Sequence, residues 1–119
     1  MFARDKRRYP RVVPHQTRPV EVHLSGNNFI EVLQAADISE GGIGIRVSHS
    51  FEGYDLDHEV EIVVVLPGIS SFLARGRIRS KSVRGGIHVF GVEFHHVDVD
   101  GRRQLAEYVE RMLVLGHGC

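Results

Sequence analysis

The chain is poor in several residue types, and each shortage narrows what it can be. Its 119 residues include one cysteine, Cys119, and no tryptophan. One cysteine cannot form an internal disulfide, which fits a reducing compartment. No apolar run approaches the roughly 20 residues of a membrane-spanning helix, and no signal-peptide core follows the basic start. We therefore expect a small cytoplasmic protein of one domain that does not insert into a membrane.

The chain also lacks a net charge, because 15 Lys and Arg residues balance 15 Asp and Glu residues. Proteins that bind DNA or RNA through the phosphate backbone normally carry a basic excess, so a nucleic-acid polymer is not the expected partner. The positive charge is nevertheless concentrated near the start of the chain, where Asp5 is the acidic residue among Arg4, Lys6, Arg7, Arg8 and Arg11.

Hydrophobic periodicity predicts an all-β domain with three parts. Residues 1–17, interrupted by Pro10 and Pro14, predict a flexible basic arm. Residues 18–97 alternate apolar and polar side chains, which predicts six strands, near residues 20–24, 29–36, 43–47, 60–66, 72–78 and 90–94. Such short strands favour a closed antiparallel barrel, since closure removes exposed edges.

The last part of the chain, residues 98–119, changes to the spacing of an amphipathic helix. The pattern predicts a helix over residues 100–115, with Asp98 or Asp100 as its cap and Gly116 at its end. A Glu107–Arg111 pair is expected on its exposed face. Its apolar face could cover one opening of the barrel, and it fits a homodimer seam equally well.

Two short motifs carry the chemistry. Arg7, Arg8 and Arg11 place guanidinium groups in the arm, where they suit phosphate oxygens. Taken alone, such an arm is more typical of a solvated terminal tail. The second motif joins two apolar runs by a turn, and its candidate residues are Asp37, Ser39, Gly41 and Gly42. Local turn chemistry alone explains this motif too, with glycines that permit positive φ. A guanine nucleotide would use both motifs together.

The two motifs resemble the RxxxR and (D/N)xSxxG signature of PilZ domains, and the Gly-Val-Glu-Phe run at 91–94 is similar to the Gly-x-x-Phe strand of that family. The resemblance implies a six-stranded β-barrel that binds the bacterial second messenger cyclic di-GMP. Arg7 and Arg11 would contact phosphates and guanine faces, and Asp37, Ser39 and Gly42 would engage a guanine edge. A basic residue before RxxxR, here Lys6, implies that the ligand binds as an intercalated dimer.

Further candidates are weaker. Arg75, Arg77, Arg79 and Lys81 alternate along one strand face, which fits a solvated surface better than a site for phosphates or an acidic partner. Arg77 and Gly91 are kept as additional ligand-binding candidates. Many relatives place an aromatic residue beside the site, whereas this chain has Arg79, Ser80 and Lys81 near that position. The adjacent His95 and His96 point to opposite faces of a strand, so no metal site is expected. No catalytic residues and no cofactor are predicted.

The leading hypothesis is a non-enzymatic cyclic di-GMP receptor or adaptor whose arm becomes ordered on ligand capture and whose partner is an unidentified protein effector. The alternative is a PilZ-like interaction module without nucleotide, for example in pilus or flagellar machinery. A catalytic domain acting on nucleotides is the third hypothesis, and no carboxylate pair or metal cluster supports it.

Overall fold

The computed structural model describes residues 9–25, 30–47 and 54–118. Within these ranges the chain forms strands and then a helix, in the order β1 (Glu21–Ser25), β2 (Ile30–Ile38), β3 (Gly42–Val47), β4 (Glu59–Val65), β5 (Ser71–Arg84), β6 (Ile87–Val97) and α1 (Val99–Val114). The six strands close into an antiparallel barrel in the order β1-β2-β3-β6-β5-β4. The predicted barrel with a C-terminal helix is therefore confirmed.

The alternating side chains fill the barrel as the period-2 pattern predicts. The inward residues of the strands are apolar and almost fully buried; they include Val22, Leu24, Ile43, Ile45, Ile62, Val64, Ala74, Ile78 and Val92. The residues between them on each strand face outward, and most of the polar and charged side chains of the strands lie on this outer surface.

Strands β5 and β6 are longer than predicted, since β5 continues to Arg84 and β6 begins at Ile87. Residues 79–84 are all exposed, so the alternation that marks a half-buried strand is missing there. Pairing between the two strands nevertheless continues to Arg84 and Ile87. Gly85 and Gly86, with φ of 56° and 82°, make the tight turn between them, a conformation that side chains with a Cβ rarely adopt.

Helix α1 packs its apolar face onto the barrel. Leu105, Tyr108, Val109 and Met112 are buried in the same core cluster as the inward strand residues. Asp98 caps the helix by accepting a hydrogen bond from the Gly101 amide at 2.7 Å, as predicted. The expected pair on the exposed face is also present, with Arg111 and Glu107 2.9 Å apart. The described part of the chain contains no helix of the length and apolar character that a membrane crossing requires.

The end of the basic arm is attached to the barrel, whereas the sequence predicts a flexible arm over residues 1–17. Val12 is fully buried and forms antiparallel bridges with both Ile38 and Gly118. Its amide donates to the Ile38 carbonyl at 2.9 Å, and the Ile38 amide donates back at 3.0 Å. Val12 and Val13 are two adjacent apolar residues between Arg11 and Pro14, too few to give a periodic signal, which is why the pattern missed this anchor. The division of the chain at residues 17 and 97 remains an interpretation.

Candidate functional site

The second motif forms a tight turn between β2 and β3. The Ser39 hydroxyl accepts hydrogen bonds from the amides of Gly41 and Gly42 at 3.1 and 3.2 Å. The Ser39 amide donates to the Gly42 carbonyl at 2.8 Å. Ser39 is buried, so the side chain that braces the turn is itself fixed. This is the local role that Ser and Asp residues take in turns.

Asp37 lies one residue before the end of β2, and its carboxylate is the focus of the site. The side chain is only 10% exposed, and two arginines neutralise it. Arg11 Nη1 donates to Oδ1 at 2.7 Å, and Arg84 Nη1 donates to Oδ2 at 3.0 Å. The structure thus brings one arginine of the first motif onto the acidic residue of the second. A withdrawn carboxylate needs such partners, because burial of an unpaired charge is costly.

The glycines around this carboxylate are required for space. Gly41 and Gly42 do not adopt the positive φ that glycine permits. A Cβ on Gly42 would instead lie 2.5 Å from the backbone oxygen of Val92, on the neighbouring strand β6. A Cβ on Gly44, the cross-strand partner of Asp37, would lie 2.7 Å from Asp37 Oδ1. The close approach of β3 to β6 therefore requires glycine at position 42, and the position of the Asp37 carboxylate requires glycine at position 44.

Tyr9, inside the first motif, is a neighbour of the turn that the sequence interpretation did not single out. A Cβ placed on Gly41 would lie 2.8 Å from Tyr9 Cδ2, so the phenol ring is packed directly against Gly41. Tyr9 is 37% exposed. An aromatic residue within an arginine-rich motif was the available signal, since exposed aromatic rings often serve as stacking surfaces.

The remaining predicted residues lie in three places. Gly91 is the cross-strand partner of Gly44 and so lies on the same row of the barrel as Asp37. Arg77 is directed elsewhere, because its Nη1 donates to the Asp57 carbonyl at 3.3 Å. Lys6, Arg7 and Arg8 lie outside the described residues.

The basic stripe on β5, formed by Arg75, Arg77, Arg79 and Lys81, is exposed and largely occupied with acidic neighbours. The prediction that all four residues share one strand face is wrong, because a register shift between Ile78 and Ser80 places Lys81 opposite the core residue Phe90. Arg75 pairs with Glu61 at 3.2 Å, Arg79 pairs with Asp57 at 2.6 Å and Glu93 at 2.9 Å, and Lys81 lies 3.7 Å from Asp55. The hydrogen bond to Glu93 raises the pKa of Arg79. All these acidic partners are exposed, so the stripe is a solvated surface of paired charges.

A metal centre has no support in residues 9–25, 30–47 and 54–118. These residues contain no group of three or more His, Cys, Asp or Glu side chains that could hold an ion. The chemistry available around Asp37 is therefore that of guanidinium groups, one carboxylate and a glycine-rich backbone. Those groups suit an anionic ligand that also carries hydrogen-bond donors.

The sequence of the chain matches a known domain family. The PilZ domain family matches residues 5–111, which include both motifs, the whole barrel and most of α1. The chain belongs to the PilZ domain family. No curated protein matches it significantly.

Solved structures similar to this PilZ domain share its fold at low sequence identity. The PilZ domain of Escherichia coli YcgR with c-di-GMP has 18% identity and a TM-score of 0.76, and the match covers 94% of this chain and 95% of that one. The MrkH–c-di-GMP complex of K. pneumonia has 14% identity, a TM-score of 0.81 and coverage of 94% and 54%.

Bacillus subtilis MotI/DgrA, described as an inhibitor of motility, is similar at 15% identity with a TM-score of 0.81, over 97% of this chain and 57% of that chain. This PilZ domain therefore spans little more than half the length of the MotI and MrkH chains.

Proposed function

We propose that this PilZ domain is a receptor for cyclic di-GMP. The observation that carries the proposal is the contact between Arg11 and Asp37, which joins the two motifs at one place on the barrel. The pairing supplies a partly exposed guanidinium for phosphate and a carboxylate for the N–H edge of guanine. The similar YcgR and MrkH structures contain c-di-GMP, which supports the same ligand here.

The proposed site consists of the arm and the turn. Arg7, Arg8 and Arg11 contact the phosphates and stack on guanine, and Asp37 and Ser39 hold a guanine edge. Gly41 and Gly42 border the ligand at the turn against which Tyr9 packs, and Lys6 favours an intercalated dimer. Gly91 borders the site, and Arg77, already engaged by the Asp57 loop, contributes least.

The output of binding is a change at the end of α1. Val12 follows Arg11 directly and bridges to Gly118, and the Val13 amide donates to the His117 carbonyl at 2.8 Å. A ligand that draws Arg11 away from Asp37 therefore moves a segment bonded to the residues that follow the helix. The altered surface is the one offered to a protein effector in the cytoplasm. The domain acts as a receptor, so it releases the nucleotide without chemical change.

Calorimetric titration of cyclic di-GMP into the protein tests the proposal, followed by chromatography of the incubated nucleotide. Binding at two ligand molecules per site, with the nucleotide recovered intact, is expected. Absence of binding would favour the alternative, an interaction module that works without nucleotide. Conversion of the nucleotide would show that the domain is an enzyme.

A further inference from the structure

Arg84 belongs to neither motif, yet it shares the carboxylate of Asp37. It is the last residue of β5, 47 positions along the chain from Asp37, and its Nη1 lies 3.0 Å from Oδ2. Arg11 occupies the other oxygen, Oδ1, at 2.7 Å. The two arginines therefore hold different oxygens of one carboxylate and do not compete for the same position.

The surroundings explain how Arg84 reaches this position. The last inward side chain of β5 is that of Ile78, and the strand continues for six more residues to Arg84. The turn at Gly85 and Gly86 follows directly. Val89, on the neighbouring strand, is 2% exposed although it lies outside the core cluster. Its neighbour Phe90 is in the core, so Val89 faces the outer surface. There Val89 and the Asp37 carboxylate both border Gly44, since a Cβ on Gly44 would lie 3.4 Å from Val89 Cγ1 and 2.7 Å from Asp37 Oδ1.

The exposure of the three side chains indicates which of them can leave. The Asp37 side chain is 10% exposed, whereas that of Arg11 is 28% exposed and that of Arg84 is 53% exposed. Either arginine can be hydrated on leaving, but the carboxylate cannot rotate into solvent freely. If the ligand took Arg11 and no second cation were present, Asp37 would keep a buried charge without a cationic partner, which is strongly unfavourable.

We propose that Arg84 is a positioning residue of the cyclic di-GMP site: it keeps Asp37 Oδ2 while Oδ1 passes from Arg11 to the guanine edge. This inference rests on the proposed function. One charge-assisted hydrogen bond on the carboxylate is exchanged for another donor, and Arg84 holds the plane and the charge of the carboxylate throughout. Arg84 itself does not contact the ligand.

Calorimetric titration of cyclic di-GMP into Arg84→Ala tests this role, with Arg75→Ala as the matched control. Arg75 lies on the same strand, but its partner Glu61 is 46% exposed. Arg84→Ala is expected to weaken affinity about tenfold, or about 1.4 kcal/mol, and Arg75→Ala is expected to stay within about twofold. If Arg84→Ala binds as tightly as the parent protein, the inference is wrong although the proposed function stands.

A second background separates positioning from direct contact. Asparagine fits the (D/N)xSxxG pattern, so Asp37→Asn is expected to bind while carrying no charge for Arg84 to hold. Adding Arg84→Ala to Asp37→Asn should then change affinity by less than about twofold. A further tenfold loss in that background would overturn the positioning role, because it would show that Arg84 contacts the ligand itself.

A measurement without ligand keeps the inference distinct from the proposed function. Urea unfolding of Arg11→Ala, Arg84→Ala and the double variant should be non-additive, with a double loss larger than the sum of the single losses. Each single variant leaves Asp37 one cation, and the double variant leaves it none. Additive losses would overturn the shared pairing. If the parent protein does not bind cyclic di-GMP, the proposed function and the role of Arg84 in it both fail, whatever the unfolding cycle shows.

Discussion

Two regions of the barrel's outer surface carry arginines, and they differ in how far their acidic partners are withdrawn from solvent. At the turn between β2 and β3 the Asp37 side chain is 10% exposed, whereas along the stripe on β5 Glu61 is 46% exposed and Asp57 is 72% exposed. Exposed pairs contribute little, because water and salt compete for both charges. The withdrawn carboxylate depends on its arginines, so in the proposed function it is the first region that couples ligand capture to a change in structure.

Replacement of Asp37 by alanine should have the largest effect. Asp37→Ala removes the acceptor for Arg11 and Arg84 and the expected partner of the guanine edge. We expect a loss of about 2 kcal/mol in the free energy of unfolding and about thirtyfold in cyclic di-GMP affinity. Urea unfolding and calorimetry measure the two quantities. Glu61→Ala is the control from the stripe and should change stability by less than about 0.5 kcal/mol. Equal effects of the two substitutions would remove the distinction between the regions.

A smaller effect is expected where the arm joins the barrel. Val12→Ala removes two methyl groups from a fully buried side chain, which should cost about 1.5 kcal/mol of unfolding free energy. Because Val12 fixes the backbone next to Arg11, affinity should also fall, by about threefold. Val13→Ala serves as the control, since Val13 is 42% exposed. If both variants unfold at the same urea concentration as the parent protein, the arm is not anchored at Val12.

The fold and the acidic turn could be predicted from the sequence because their signals are local. Alternation marked the strands, and Asp98 and Gly116 marked the ends of the helix. The partnership of Asp37 with Arg84 could not be predicted, because it depends on which strands become neighbours when the barrel closes. The extension of β5 to Arg84 was missed for a related reason. Its residues are exposed on both faces, so their pairing with β6 leaves no hydrophobic pattern.

The smallest expected effect concerns a buried polar group that, unlike Asp37, has no partner among the described residues. The Tyr108 hydroxyl is buried without a hydrogen bond, and burial raises the pKa of Tyr108 above its usual 10.0, with Arg18 acting in the opposite direction. Tyr108→Phe should leave the free energy of unfolding at pH 7 unchanged within about 0.5 kcal/mol, because no hydrogen bond is lost.

The free energy of unfolding of Tyr108→Phe should also fall less at alkaline pH than that of the parent protein. Tyrosine ionises near pH 10 in the unfolded chain and at higher pH in the folded protein, so the folded state loses stability as pH rises above 10. Tyr108→Phe should reduce that loss. Tyr54→Phe is the contrasting variant: burial raises its pKa too, but its hydroxyl donates to the Ser25 carbonyl at 3.1 Å. It should lose about 1 kcal/mol at pH 7. A comparable loss in Tyr108→Phe would show that its hydroxyl has a partner.

The most direct test of the account is the cyclic di-GMP affinity of Arg11→Ala beside that of Arg75→Ala, measured by calorimetry in one buffer. Both substitutions remove one guanidinium from the outer surface of the barrel, so the change in net charge is the same. The account predicts a loss of about thirtyfold, or about 2 kcal/mol, for Arg11→Ala, and less than about twofold for Arg75→Ala. An Arg11→Ala variant that binds as tightly as the parent protein, or equal losses in the two variants, would contradict it.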